Sequence, residues 1–145
     1  MLGFSVYQAA LYLPEPMRDV ARVLDERTPR RLHVTLLRDT TTEQNLDALR
    51  AGLEDNNSAA ELEVIRAEIE LFFTLIRRIH AVPSGTLIQL DYQPQTGTVL
   101  SIGGRTLGRI PGERFNRAVM KIWLGERPIQ ASLKRALLGM AQPVM

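Results

Sequence analysis

Residues 86–110 constrain the fold more than any other part of the chain. Three runs of alternating residues, Thr86 to Tyr92, Thr98 to Ile102 and Arg105 to Ile110, are separated only by turn signals. Pro94 and Gly97 mark the first turn and Gly103-Gly104 the second. A Gly-Gly pair takes positive φ at both central positions of a tight hairpin without steric cost. Links this short admit no crossover helix, so the three strands must run antiparallel.

Helical patterns lie on both sides of this meander. Upstream, Leu62, Ile65, Ile69, Phe72, Ile76 and Ile79 recur in steps of three and four, the period of a helix with one apolar face. That spacing predicts one helix from Ser58 to about His80. Ser58 with Glu61 has the capping-box spacing, as does Thr40 with Glu43 before an earlier helix carrying Leu46, Leu49 and Leu53. Asn56-Asn57 reads as the end of that earlier helix. Downstream, Phe115, Ala118, Val119 and Ile122 form the apolar side of a helix that Gly125 suits as a left-handed stop. A last helix spans Ser132 to Leu138 and stops at Gly139. Phe4 to Leu13 and Arg31 to Arg38 read as strands, with a helix from Pro16 to about Glu26 between them. Strands in a row covered by helices make an α+β architecture.

The bulk properties narrow the function. A chain of 145 residues is the size of one domain, so residues 1–145 are read as a single unit. The balance of 18 basic and 16 acidic residues argues against a nucleic-acid partner. There is no cysteine, which removes disulfides, thiolate metal sites and cysteine nucleophiles. No apolar run approaches the ~18 residues a membrane span requires. Met1 runs straight into the first strand, so no signal peptide is expected within the chain; either the protein is this short or a leader was removed.

Few residues suggest chemistry. His33 sits in Leu-His-Val-Thr-Leu, the form of a His-x-Thr element, but His80 supplies no second copy. Acid–base catalysis of that type needs two, so His33 is expected on a strand face and His80 near a helix end. Two histidines without a carboxylate pattern make a poor metal site. Neither a metal, a cofactor nor a catalytic residue is expected. Arg114, Arg117 and Lys121 form a basic stripe, read as a solvated helix face. Arg38 closes a core strand, where it can face a cavity or pair with Asp39 or Glu43. Tyr7 stands beside small Ala9 on one strand face. Its hydroxyl either projects into a cavity or is satisfied locally in the core.

Together, several segments resemble the bacterial chalcone isomerase-like proteins. They are Ser5-Val6-Tyr7-Gln8-Ala9-Ala10-Leu11-Tyr12-Leu13-Pro14, Leu36-Leu37-Arg38-Asp39, Gly97-Thr98 with Ile110-Pro111-Gly112, Ile122-Trp123-Leu124-Gly125, and Leu133-Lys134-Arg135-Ala136-Leu137-Leu138-Gly139. The likeness covers nearly the whole chain in order. It implies an open-faced β-sandwich, an antiparallel sheet covered by a layer of helices, with a ligand cleft between them. Plant members cyclise a chalcone in that cleft; related members bind fatty acids.

The resemblance also implies that the isomerase chemistry is absent. The enzyme's arginine belongs to a strand that would precede Met1. Its cleft threonine corresponds to Tyr7, its helical tyrosine and asparagine to Asn45 and Gly52, its later threonine to Ile122 and the following methionine to Trp123. Cyclisation needs donors that hold a phenolate and an enolate-like oxygen, and losing one commonly costs ~10²–10³ in rate. The expectation is a non-catalytic protein that binds a fatty acid or similar amphiphile, with Tyr7 at the polar end, Ile122 and Trp123 along the tail and Asn45 as a further ligand-binding residue. A weak intramolecular lyase or isomerase and a protein-interaction module are the alternatives. A missing leading strand would leave the first strand with an open edge, from which a homodimer is expected. The compartment implied is the bacterial periplasm if a leader was removed, and the cytoplasm otherwise.

Overall fold

The structure is a computed structural model that describes residues 7–139. Expectations that fall on Phe4, Ser5 and Val6, or on a strand before them, lie outside the described residues. Five strands form one antiparallel sheet: β1 (Tyr7–Tyr12), β2 (Arg30–Leu36), β5 (Leu87–Gln93), β6 (Gly97–Ile102) and β7 (Arg105–Ile110), in that spatial order. The meander is the β5-β6-β7 half, and Gly103 and Gly104 have φ of 63° and 79° at its second turn. Two short strands, β3 (Thr40–Thr41) and β4 (Ala81–Val82), pair with each other apart from the main sheet. Two residues are too few for the alternating pattern that reveals a strand.

Register places the apolar residues of all five strands on one face. One row runs Leu11, Leu32, Leu90, Leu100 and Gly108 across the sheet. Another runs Ala9, Val34, Ile88 and Ile102. The opposite face carries Gln8, Tyr12, Arg31, His33, Gln89 and Asp91, with Arg31 and Asp91 paired at 2.8 Å. His33 lies there as expected, its ring edge-on to Tyr12 with centroids 4.8 Å apart.

The helices cover the apolar face. α2 (Thr42–Asn56) packs along α5 (Glu113–Leu124), and α4 (Arg66–Ile76) lies over β7. α6 (Ala131–Leu137) reaches back to β1. Leu46, Phe72, Phe115, Val119 and Ile122 are buried beneath this layer.

Four local expectations need correction. The segment predicted as one helix from Ser58 to His80 is two, α3 (Ala59–Val64) and α4, broken at Ile65 with φ −108° and ψ 21°. Val64 and Ile65 are consecutive β-branched residues, which weaken a helix, and the break lets Ile65 bury while Val64 stays 60% exposed. The helix predicted from Pro16 to Glu26 shrinks to α1 (Val20–Val23), capped by Asp19. The earlier capping box is one residue further on, Thr41 with Gln44, because Thr40 enters β3. Gly125 ends α5 in an extended conformation, φ −75° and ψ −172°. Its requirement is space: a Cβ there would meet Asn56 Oδ1 and the Lys121 carbonyl.

Candidate functional site

Between the sheet and the helices lies an enclosed cavity of about 80 Å³. Val34, Leu36, Ile88, Leu90, Leu100 and Ile102 form its floor from β2, β5 and β6. Leu49 of α2, Phe72 and Ile76 of α4 and Ile122 of α5 roof it, with Ile79 and Val82 closing one side. Carbon dominates the lining because every strand sends its apolar alternates to this face.

Tyr7, Asn45, Ile122 and Trp123, the four residues singled out from the sequence, all line this cavity. They come from three elements far apart in the chain. Tyr7 enters from β1, Asn45 from the first turns of α2, and Ile122 and Trp123 from the last turn of α5.

An open mouth of about 430 Å³, more polar than the cavity, adjoins it. Arg38, Asp39, Thr40, Gln44 and Gln130 line it, and Tyr7, Leu36, Asn45, Ala48 and Ile129 line both compartments. Arg38 is exposed and lines this open mouth, not the enclosed cavity. Alone, the enclosed part falls below the roughly 300–1,000 Å³ usual for small-molecule sites. Joined with the mouth it reaches that range.

Polar groups at the junction are few and specifically placed. Burial pushes the Tyr7 phenol up to about 12, only partly offset by the Trp123 side chain. At neutral pH this hydroxyl is a protonated donor and not a base. The Asn45 amide donates to Thr40 Oγ1 at 2.7 Å and to the Thr41 carbonyl at 2.9 Å. Both of its N–H groups are committed, so Asn45 can offer a ligand only its carbonyl oxygen. Trp123 is 6% exposed. Its indole Nε1–H turns toward Tyr7 yet has no acceptor in hydrogen-bond geometry among the described residues.

The positions that resemblance matched to the enzyme's asparagine and threonine, Gly52 and Ile122, meet directly. A Cβ on Gly52 would stand 2.8 Å from Ile122 Cγ2. Their contact presents carbon, with no donor for a developing oxyanion.

Two polar supports of the fold were not read from the sequence. Asn56 and Asn57, read as a simple helix end, tie α2 to α5 and to the link after it. Asn56 donates to the Arg127 carbonyl at 2.9 Å and accepts from the Arg127 N–H at 2.8 Å, while Asn57 donates to the Ala118 carbonyl at 3.3 Å. The Ile129 N–H then donates to the Ile122 carbonyl at 2.8 Å, which sets Ile129 over the mouth. Arg30 is the second support, buried to 2% exposure. It donates to Asn116 Oδ1 at 2.7 Å and to the carbonyls of Val23, Asp25 and Thr28. Its guanidinium also lies 4.3 Å from the centre of the Tyr92 ring. The Arg-Arg pair at the start of β2 was the available signal, since one of two neighbours on a strand must face inward.

No helix among the described residues is long and apolar enough to cross a membrane. No curated protein matches the chain in sequence. Among solved structures, the fold is similar to a crystal structure of a fatty-acid binding protein from Arabidopsis thaliana, with a TM-score of 0.67 and 12% identity over 95% of this chain and 80% of that one. The sequence matches the family described as chalcone isomerase-like over residues 1–139, and the chain belongs to that family.

Proposed function

We propose that this protein is a non-catalytic member of its family that binds a fatty acid or a similar amphiphile between sheet and helices. The observation that carries the reading is the join between an almost wholly apolar enclosed cavity and a more polar mouth lined by Arg38, Gln44 and Gln130. An amphiphile matches that division: an apolar tail gains by leaving water, and a carboxylate gains from a guanidinium. The similarity in fold to a fatty-acid binding protein supports the same reading. Against cyclisation stands the Gly52–Ile122 contact, which offers no hydrogen-bond donor.

The test is native mass spectrometry of the full chain after exposure to laurate, with thermal melting in parallel. Retained laurate and a raised Tm are expected, and the increment should shrink in Tyr7→Phe. A protein that stays empty and melts unchanged with laurate in excess would sink the reading. β1 lies at one edge of the sheet among the described residues, and it supports the further proposal that two copies pair there. Light scattering that gives a strict monomer at high concentration would end that part.

A further inference from the structure

The basic stripe on α5 lines a groove of about 330 Å³ on the outer side of the helical layer. Arg114, Arg117 and Lys121 form one wall, and Ala60 and Val64 of α3 form the other. The break at Ile65 shapes it: Ile65 is buried, while Val64 is 60% exposed, the most exposed of the large apolar side chains described. The groove shares no residue with the cavity or its mouth. Its cations are incompletely neutralised. Arg117 meets Glu113 at 3.4 Å and Lys121 meets Glu61 at 4.0 Å, both longer than the roughly 2.7–2.9 Å of a close charge-assisted contact. Arg114 is exposed and has no ion pair among the described residues. At 1.5 Å of rise per residue, the stripe runs about 10 Å along the helix. An extended chain places alternate side chains about 7 Å apart on one side and the intervening one on the other. Two carboxylates at alternate positions therefore match this row of cations, and the side chain between them turns toward Val64.

We infer that this groove docks an extended acidic segment of a partner protein, with the pattern acidic–apolar–acidic. The carboxylates meet Arg114, Arg117 and Lys121, and the apolar side chain covers Val64 and Ala60. Charge complementarity selects the partner. A bilayer surface, being flat, reaches only the rim of a groove, and no aromatic side chain lines this one to stack a nucleobase. Exposed ion pairs are each worth little, so the contact is weak and salt-sensitive, as a transient encounter requires. It does not depend on the amphiphile reading.

The test is a proton–nitrogen correlation spectrum of the full chain, titrated with the blocked peptide Glu-Leu-Glu-Leu-Glu. Backbone amides of residues 60–65 and 114–121 should move and saturate together, while those around the cavity stay in place. Binding should weaken several-fold in high salt. The analogue Gln-Leu-Gln-Leu-Gln should bind about tenfold more weakly. Arg114→Gln should weaken the peptide about threefold, the scale of an exposed ion pair, and Val64→Ser by a similar factor through lost apolar contact. Both side chains are exposed, so the fold tolerates these changes. A millimolar peptide that moves none of these amides overturns the inference, and equal binding of the Gln analogue overturns the charge match that carries it. Inorganic phosphate that moves the same amides and displaces the peptide at equal concentration makes the groove a simple anion site, and overturns it too. So do phosphatidylglycerol vesicles that bind through Arg114 when the peptide does not. None of these outcomes touches the amphiphile reading, which laurate tests separately.

Discussion

Gly52 of α2 and Ile122 of α5 are in such close contact that a Cβ on Gly52 would lie 2.8 Å from Ile122 Cγ2 and 2.9 Å from Cγ1. Glycine inside a helix costs about 1 kcal/mol relative to alanine, so here it is close packing that favours it. The contact brings α5 down onto α2 and positions Ile122 in the roof of the cavity. Gly52→Ala gains helix propensity but drives a methyl into atoms near the root of a β-branched side chain, which cannot swing away. Overpacking of this kind costs about 1–3 kcal/mol, so a net loss of about 1 kcal/mol is expected in urea melts. Ile122→Ala alone should cost about 3 kcal/mol. The double variant should lose less than the sum, with a coupling of about 1 kcal/mol. Strict additivity would show that the two residues do not press on each other.

Arg30 should be the most sensitive charged residue in the chain. Its burial lowers its pKa to about 10, still high enough to keep it a cation at neutral pH. Arg30→Ala would strand Asn116 Oδ1 and the carbonyls of Val23, Asp25 and Thr28. A loss of about 3 kcal/mol is expected from groups of this kind. Arg30→Lys should recover little of it, because one ammonium cannot reproduce the planar fork or its stacking on Tyr92. Chemical denaturation of both variants checks this, and near-wild-type stability in Arg30→Lys would contradict it.

His33 adds a small pH dependence. Its pKa is lowered, first by burial and then by Arg31, with Asp91 opposing. A folded value below the unfolded 6.5 means that protons bind the unfolded chain more tightly. The His33 contribution should therefore be complete above about pH 6.5 and fall away as pH drops through the folded value. Melting curves at a series of pH values should show wild type losing stability relative to His33→Gln on acidification. Parallel curves would rule the contribution out.

Arg38 should discriminate between acyl ligands by charge. Arg38→Gln is expected to weaken laurate about tenfold, as loss of a charge-assisted contact does. It should leave methyl laurate almost unaffected. Isothermal titration of the two ligands checks the difference, and equal weakening of both would place the head away from the mouth.

Read alone, the sequence determined what periodicity can encode. Alternation in Leu32, Val34 and Leu36, and in Ile88, Leu90 and Tyr92, marked strands with one apolar face. Turn glycines made the 86–110 segment a meander, and the ordered motifs along the chain pointed to the family. Tyr7, Asn45, Ile122 and Trp123 were legible as one group through that resemblance, and the structure gathers all four around one cavity.

Only tertiary structure decided what each buried polar atom meets. Arg30 and Asn116 lie 86 positions apart, Asn56 and Arg127 71, and no local pattern records such pairs. Trp123 shows the difference most directly. The resemblance matched it to a cleft methionine, and so it was assigned to a tail. That its indole nitrogen is buried beside the Tyr7 side chain follows from how α5 packs on α2 and β6. Periodicity reports which face of an element leaves water, whereas hydrogen-bond satisfaction depends on directions fixed when those faces pack.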